Sequence, residues 1–143
     1  MERPRQLREA DKARATRLLS QLLDHRGEIR FACLHGSFLE GRGFRDVDLA
    51  VWVDRAKLSK EAALEYEFEL SAWLEPQIHL PVDVKVLNFA PLSFKFAATG
   101  GVPLLVRDEE QWFSFREQTW QDYFDFAPLA RAVLLDLLSP DSR

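Results

Sequence analysis

The chain has 143 residues, enough for one ordinary domain with a single core, and its 47% hydrophobic and 29% charged residues are those of a folded protein. A formal net charge of -4 argues against a general nucleic-acid binder, which would carry a basic excess. It leaves nucleotide binding open, because metal ions bridge acidic sites to phosphates. One cysteine, Cys33, excludes an internal disulfide. A charge-dense stretch from Met1 to Arg17, and no run near the ~20 apolar residues of a membrane span, predict a cytoplasmic protein that touches no membrane.

Residues 7–26 put Leu18, Leu19, Leu22 and Leu23 at helical spacing and end at Gly27, a candidate C-terminal cap. Residues 29–34 form a short apolar strand candidate that runs into His35-Gly36-Ser37, where a turn and a short helical turn follow. A second strand, 47–53, lies beyond a loop with Gly41 and Gly43. Residues 59–74 predict a helix with Ser59 as its cap and Leu64, Phe68 and Trp73 on its apolar face. Pro81 opens a third strand, 82–87. A short helix is expected over 91–98, closed by Gly100-Gly101, then a fourth strand, 102–106. The last helix spans about 108–138 and bends near Pro128. With no repeat and no dividing linker, the expectation is a single domain over 1–143. Its class is α/β or α+β, a small mixed sheet of about four to five strands covered by helices.

Chemistry concentrates between Leu34 and Val51. Gly36, lacking a Cβ, lets a phosphate approach the backbone, and the Ser37 hydroxyl can donate to its oxygens. A Gly-Ser pair alone is more often a plain turn or cap. Asp46 and Asp48, two apart on a strand, point to one face, with Leu49, Val51 and Val53 on the other. Paired carboxylates repel unless a cation intervenes, and Mg²⁺ takes a few carboxylates plus substrate phosphates. Two solvated aspartates at a strand end are the plainer alternative. Asp83 shifts that balance: it interrupts a valine-rich strand, sharing a face with Lys85. If its strand neighbours that of Asp48, three carboxylates converge opposite Ser37, suiting two metal ions ~3.5–4 Å apart.

Gly36-Ser37, eight residues, Asp46-Val47-Asp48-Leu49 and later Val82-Asp83-Val84 together resemble the DNA polymerase β-like nucleotidyltransferase superfamily. Within it the chain is similar to the minimal nucleotidyltransferase (MNT) proteins, which often act as antitoxins paired with HEPN-domain toxins. Gly101-Val-Pro-Leu-Leu-Val-Arg-Asp resembles that family's fourth strand and Tyr123-Phe-Asp-Phe-Ala-Pro-Leu its C-terminal helix, so the likeness covers roughly residues 28–135. It implies that Asp46 and Asp48 hold both metals and that Asp83 completes one site and helps deprotonate the acceptor hydroxyl. Gly36 and Ser37 then hold the triphosphate. It also implies transfer of AMP from ATP to a tyrosine of a HEPN toxin, with a docking-only antitoxin as the alternative. Two departures stand out. The loop 38–45 is about two residues shorter than usual, and Phe38 stands where many members carry arginine.

Other residues draw weaker expectations. Arg42 and Arg45 can pair with phosphate or with local acids, and Lys85 with nucleotide. His35 and Cys33 read as structural, while Glu61, Glu65 and Glu69 read as a solvated helix face. On the last helix, Phe113, Trp120, Phe124 and Ala127 form one stripe, and Trp112, Phe115, Tyr123 and Phe126 another. One is expected in the core, and the second, at Trp112, Phe115, Tyr123 and Phe126, on a partner surface.

Overall fold

The apolar runs 29–35 and 47–53 form two strands that pair at the centre of the sheet, and one further strand joins on either flank. A computed structural model describes residues 6–40 and 43–139. The elements are α1 (Glu9–Asp24), β1 (Ile29–His35), β2 (Val47–Val53), α2 (Ala63–Ile78), β3 (Val82–Val86), α3 (Leu92–Thr99), β4 (Val102–Val106) and α4 (Glu109–Leu138). A three-residue 3₁₀ turn, Arg55–Lys57, leaves β2. The sheet has four strands in the order β3-β2-β1-β4. β1 pairs antiparallel with β2 and with β4, whereas β2 and β3 run parallel, so the sheet is mixed. A parallel pair needs a crossover, and α2 supplies it.

The two sheet faces are packed unequally. On one, Val47, Leu49, Val51 and Val53 of β2 meet Leu19 and Leu23 of α1, Leu70, Leu74 and Ile78 of α2, and Val82, Val84 and Val86 of β3. On the other, Phe31, Cys33, Ala50 and Trp52 form a smaller cluster with Ala98 of α3 and Trp112 of α4. Phe31 and Trp52 stack in that cluster at 5.9 Å, and Trp112 meets Phe31 edge-on at 5.1 Å. Cys33 is buried there, and burial pushes its thiol up to about 12. It is a core residue, as expected.

Side chains tie the layers together at points with no clear sequence signature. Arg107, just past β4, donates from Nε to the Ile29 carbonyl at 2.7 Å and from Nη2 to the Asp24 carbonyl at 3.0 Å and the Arg26 carbonyl at 3.2 Å. A cation thus satisfies carbonyls that α1 leaves exposed at its C-terminal end. Asn88 extends the β2 ladder, donating to Val53 O at 2.7 Å and accepting from Val53 N at 2.9 Å. At the β3 edge, α2 covers the backbone: Glu75 accepts from Val82 N at 2.8 Å, Glu67 accepts from Val86 N at 2.7 Å, and Ser71 donates to Val82 O at 2.6 Å. An edge strand otherwise offers such groups to any passing chain.

Several sequence expectations need correction. Helix α1 spans Glu9–Asp24 and is capped at His25, not Gly27. Helix α2 starts at Ala63 after a turn in which Ser59 Oγ accepts from Ala62 N. It continues past Pro76 to Ile78, where left-handed His79 ends it. Its buried face is Leu70, Leu74 and Ile78, while Leu64 and Phe68 are 61% and 67% exposed. No helix among the described residues is long and apolar enough to cross a membrane.

Gly101 passes so close to β1 that a Cβ there would lie 1.9 Å from the Leu34 carbonyl oxygen. The obstacle is backbone and cannot rotate away. Gly101→Ala is expected to lower unfolding free energy by about 1–3 kcal/mol. Urea denaturation should register this as a lower midpoint at unchanged slope.

Candidate active site

The strand register decides which polar side chains meet. In the parallel pair, Asp48 of β2 stands opposite Asp83 of β3. In the antiparallel pair, the same Asp48 stands opposite His35 of β1. Neighbouring strands lie ~4.8 Å apart, so His35, Asp48 and Asp83 form a short row across three strands. Ala50 and Trp52, on the same face as Asp48, are covered by α3 and α4. The row lies just beyond that cover. Asp46 does not share the strand, as the alternation suggested. It sits at an exposed bend before Val47, and it lines a cleft together with Asp83, Ser71 and Lys85.

Gly36 follows the row directly and has φ +82°, a conformation L side chains avoid. A Cβ there would sit 2.2 Å from Asp48 Oδ2, so the glycine gives this carboxylate its room. The chain then turns through Ser37, with Leu39 N and Glu40 N donating to the Gly36 carbonyl at 3.1 and 3.3 Å. What was expected as a short helical turn is that single turn. Phe38 is buried, meets Phe44 edge-on at 4.8 Å, and has Lys12 above its ring. It anchors the turn to the main core. Gly36 and Ser37 are half-buried, and Gly36 lies against Asp48.

Electrostatics mark Asp48 as the strained member. Burial, then Asp83 and Asp46, push its carboxyl from 3.8 up to about 6. The charged form is disfavoured first by lost solvation and then by two like charges. Lys85 relieves little: its Nζ is 3.9 Å from Asp83 Oδ1, and both side chains are about half exposed. His35 is held below its ordinary range by burial, with Asp83 pulling the other way. Its Nε2 is buried without a hydrogen-bond partner, and its ring meets Phe94 of α3 edge-on at 5.3 Å.

Such a donor set fits a hard divalent cation. Carboxylate oxygens are the right ligands, and the rise at Asp48 is what an uncompensated acidic group produces. Among the described residues, no three His, Cys, Asp or Glu side chains already close into a metal-holding cluster. Part of the coordination would therefore come from substrate oxygens and water, as Mg²⁺ commonly takes it.

Other candidates resolve differently. Arg45 is exposed, and Arg42 lies outside the described residues. Glu61, Glu65 and Glu69 are exposed, as expected of a solvated face, and Glu69 also pairs with Arg26 at 2.7 Å. On α4, Trp112 is buried and Phe115 packs against the same cluster, while Tyr123 stacks on Phe96 at 3.9 Å. That stripe is therefore core over its first half, with Trp112 buried and Phe115 partly buried. Phe113, Phe124 and Phe126 are more than half exposed.

The profile of the family described as polymerase beta, nucleotidyltransferase matches residues 18–110, about two thirds of the chain. No curated protein matches the sequence. Solved structures do share the fold. One is a chain of the tri-AMPylated Shewanella oneidensis HEPN toxin in complex with its MNT antitoxin. It aligns with TM-score 0.65 and 18% identity over 90% of this chain and 99% of that one. Another, from a toxin–antitoxin structure with AMP-PNP, aligns with TM-score 0.67 and 20% identity over 87% and 98%. A third, from the toxin–antitoxin MntA–HepT, gives 0.63 and 17% over 92% and 100%.

The raised Asp48 carboxyl gives a pH dependence with a definite sign. Folded protein holds that proton up to about pH 6, whereas the unfolded chain releases it near 3.8. Native protein thus binds the extra proton between these values, and stability falls as pH rises through the window. Without divalent metal, Asp48→Asn should melt higher than wild type at pH 7.5. The difference should close below about pH 4, as thermal denaturation across that pH range can check.

Proposed function

The chain belongs to the polymerase β nucleotidyltransferase family, and we propose that it is a Mg²⁺-dependent adenylyltransferase and antitoxin, moving AMP from ATP to a tyrosine hydroxyl of a HEPN-type toxin. The observation that carries this reading is the pairing of Asp48 with Asp83 beside the Gly36-Ser37 turn. Catalytic carboxylates and a phosphate-approach turn adjoin at one end of the sheet. The fold shared with a complex of a tri-AMPylated HEPN toxin and MNT antitoxin, and with a toxin–antitoxin holding AMP-PNP, supports the choice of partner and nucleotide.

Each residue has a task in this reading. Gly36 admits a phosphate oxygen where any side chain would collide, and Ser37 donates its hydroxyl to the triphosphate. Asp46 and Asp48 would hold Mg²⁺, with Asp83 completing the set. Bound there, the metal supplies positive charge to the phosphate oxygens and to the departing pyrophosphate. Asp83 takes the proton from the tyrosine O–H. The tyrosine oxygen bonds to the α-phosphorus as the bond from that phosphorus to its bridging oxygen breaks. Pyrophosphate leaves with the electron pair, and AMP remains on the tyrosine.

Two measurements test this. ATP with Mg²⁺ should raise the melting temperature, since a hundredfold excess over Kd adds about 2.7 kcal/mol to the folded state. Asp46→Asn with Asp48→Asn should remain folded and lose the shift. Incubated with partner, ATP and Mg²⁺, wild type should raise the partner's mass by one or more AMP units. Asp83→Ala should end the transfer and keep the complex. A partner left unmodified, yet inhibited equally by wild type and Asp83→Ala, would replace this reading with neutralisation by docking alone.

A further inference from the structure

The row across the sheet has two flanks. On the β1 side of Asp48 lie Gly36 and Ser37, the turn assigned to the triphosphate. On the β3 side lies Asp83, and beyond it the sheet ends. A cleft of about 370 Å³ opens over this edge, lined by Asp46, Asp83, Lys85, Leu64, Phe68 and Ser71. It adjoins a second cleft, with which it shares Leu64, Glu67 and Lys85, and which continues to Phe89 and Phe94. Leu64 and Phe68, one turn apart on α2, expose 61% and 67% of their surface, and Phe89 exposes 41%. Large apolar side chains gathered this way beside a carboxylate are not needed for the core, whose α2 contribution comes from Leu70, Leu74 and Ile78.

We infer that this α2–β3 groove is the acceptor-binding surface, holding the tyrosine-bearing segment of the partner protein with its ring against Leu64 and Phe68 and its hydroxyl toward Asp83. The inference rests on the transferase reading above and adds where the acceptor is gripped and by what. Three observations favour a tyrosine side chain over other occupants. Asp83, the proposed proton acceptor, lines the groove, whereas Gly36 and Ser37 lie across Asp48 from it. The groove sets the exposed apolar side chains of Leu64 and Phe68 beside the polar Asp83 and Lys85, which suits an aromatic ring carrying one polar tip. Glu75 and Glu67 already occupy the N–H groups of Val82 and Val86, and Ser71 the carbonyl of Val82, so strand addition at these groups is blocked. The acceptor is therefore recognised through side chains, not as an added strand.

The experiment compares wild type with Leu64→Ser/Phe68→Ser, both positions being exposed and outside the nucleotide-binding set. The probe is the co-purified partner whose mass rises by AMP. Expected for the double variant are a KM for the partner raised about tenfold or more, kcat at saturating partner within about twofold, and an unchanged melting shift with ATP and Mg²⁺. An unchanged KM, with wild type active, overturns the groove alone. A melting shift lost with the double variant also overturns it, because the groove would then be holding nucleotide. If wild type binds ATP and Mg²⁺ but modifies no partner, the transferase reading fails and the groove assignment falls with it.

Discussion

Asp48 and Asp83 face each other across a parallel pair of strands, and carboxylates held that close repel. Among the described residues, the groups beside them offset little of the repulsion. Lys85 is 3.9 Å from Asp83 and half in solvent, and His35 is biased toward its neutral form. Burial first, and then this repulsion, push the Asp48 carboxyl up to about 6. A protein tolerates such an arrangement only where the surrounding structure over-determines it, and here the sheet does so. The hydrogen-bond register cannot slip by one residue without turning every valine of β2 and β3 out of the core.

The unequal faces explain how that rigidity and an open site coexist. α1 and α2 seal one face along its whole length, so β2 is clamped through Val47, Leu49 and Val51. The opposite face is sealed only as far as Ala50 and Trp52, by α3 and the first turns of α4. Where that cover stops, the same strands present His35, Asp48 and Asp83. Polar chemistry therefore sits on backbone whose positions are set by packing on the far side. Gly101 contributes from β4, because its approach to Leu34 fixes how β4 enters beside β1.

Much of this was legible because it is periodic. Valine alternation in 82–86 and the apolar run in 29–34 mark their strands, and period 2 places Asp83 and Lys85 together. Side-chain periodicity cannot say which strands neighbour, so the meeting of Asp48 with Asp83 rested on an assumed order that the parallel register supplies. The strand starts at Val47 as expected, so Asp46 lies just before it, and a spacing of two did not put both aspartates on one strand. Leu64 and Phe68 were misread because apolar residues at helical spacing do not reveal which side of a helix is covered. The sheet meets Leu70, Leu74 and Ile78 instead. Glu67, Ser71 and Glu75 sit at spacings of four, a pattern that in sequence looks like any solvated stripe. Only the position of β3 gives it meaning.

The pairing of His35 with Asp48 has a consequence for how such sequences drift over generations. Both ends of the connection between Gly36 and Asp48 are held by sheet hydrogen bonds and by the steric fit of Gly36 against Asp48. Within the connection, Phe38 and Phe44 are core residues packed edge-on, so those two positions are held as well. A change of length that leaves Phe38 and Phe44 in the core leaves the glycine and the aspartate in their places. A change of Gly36 to a larger residue would demand a compensating change at position 48, and the two should be inherited as a pair.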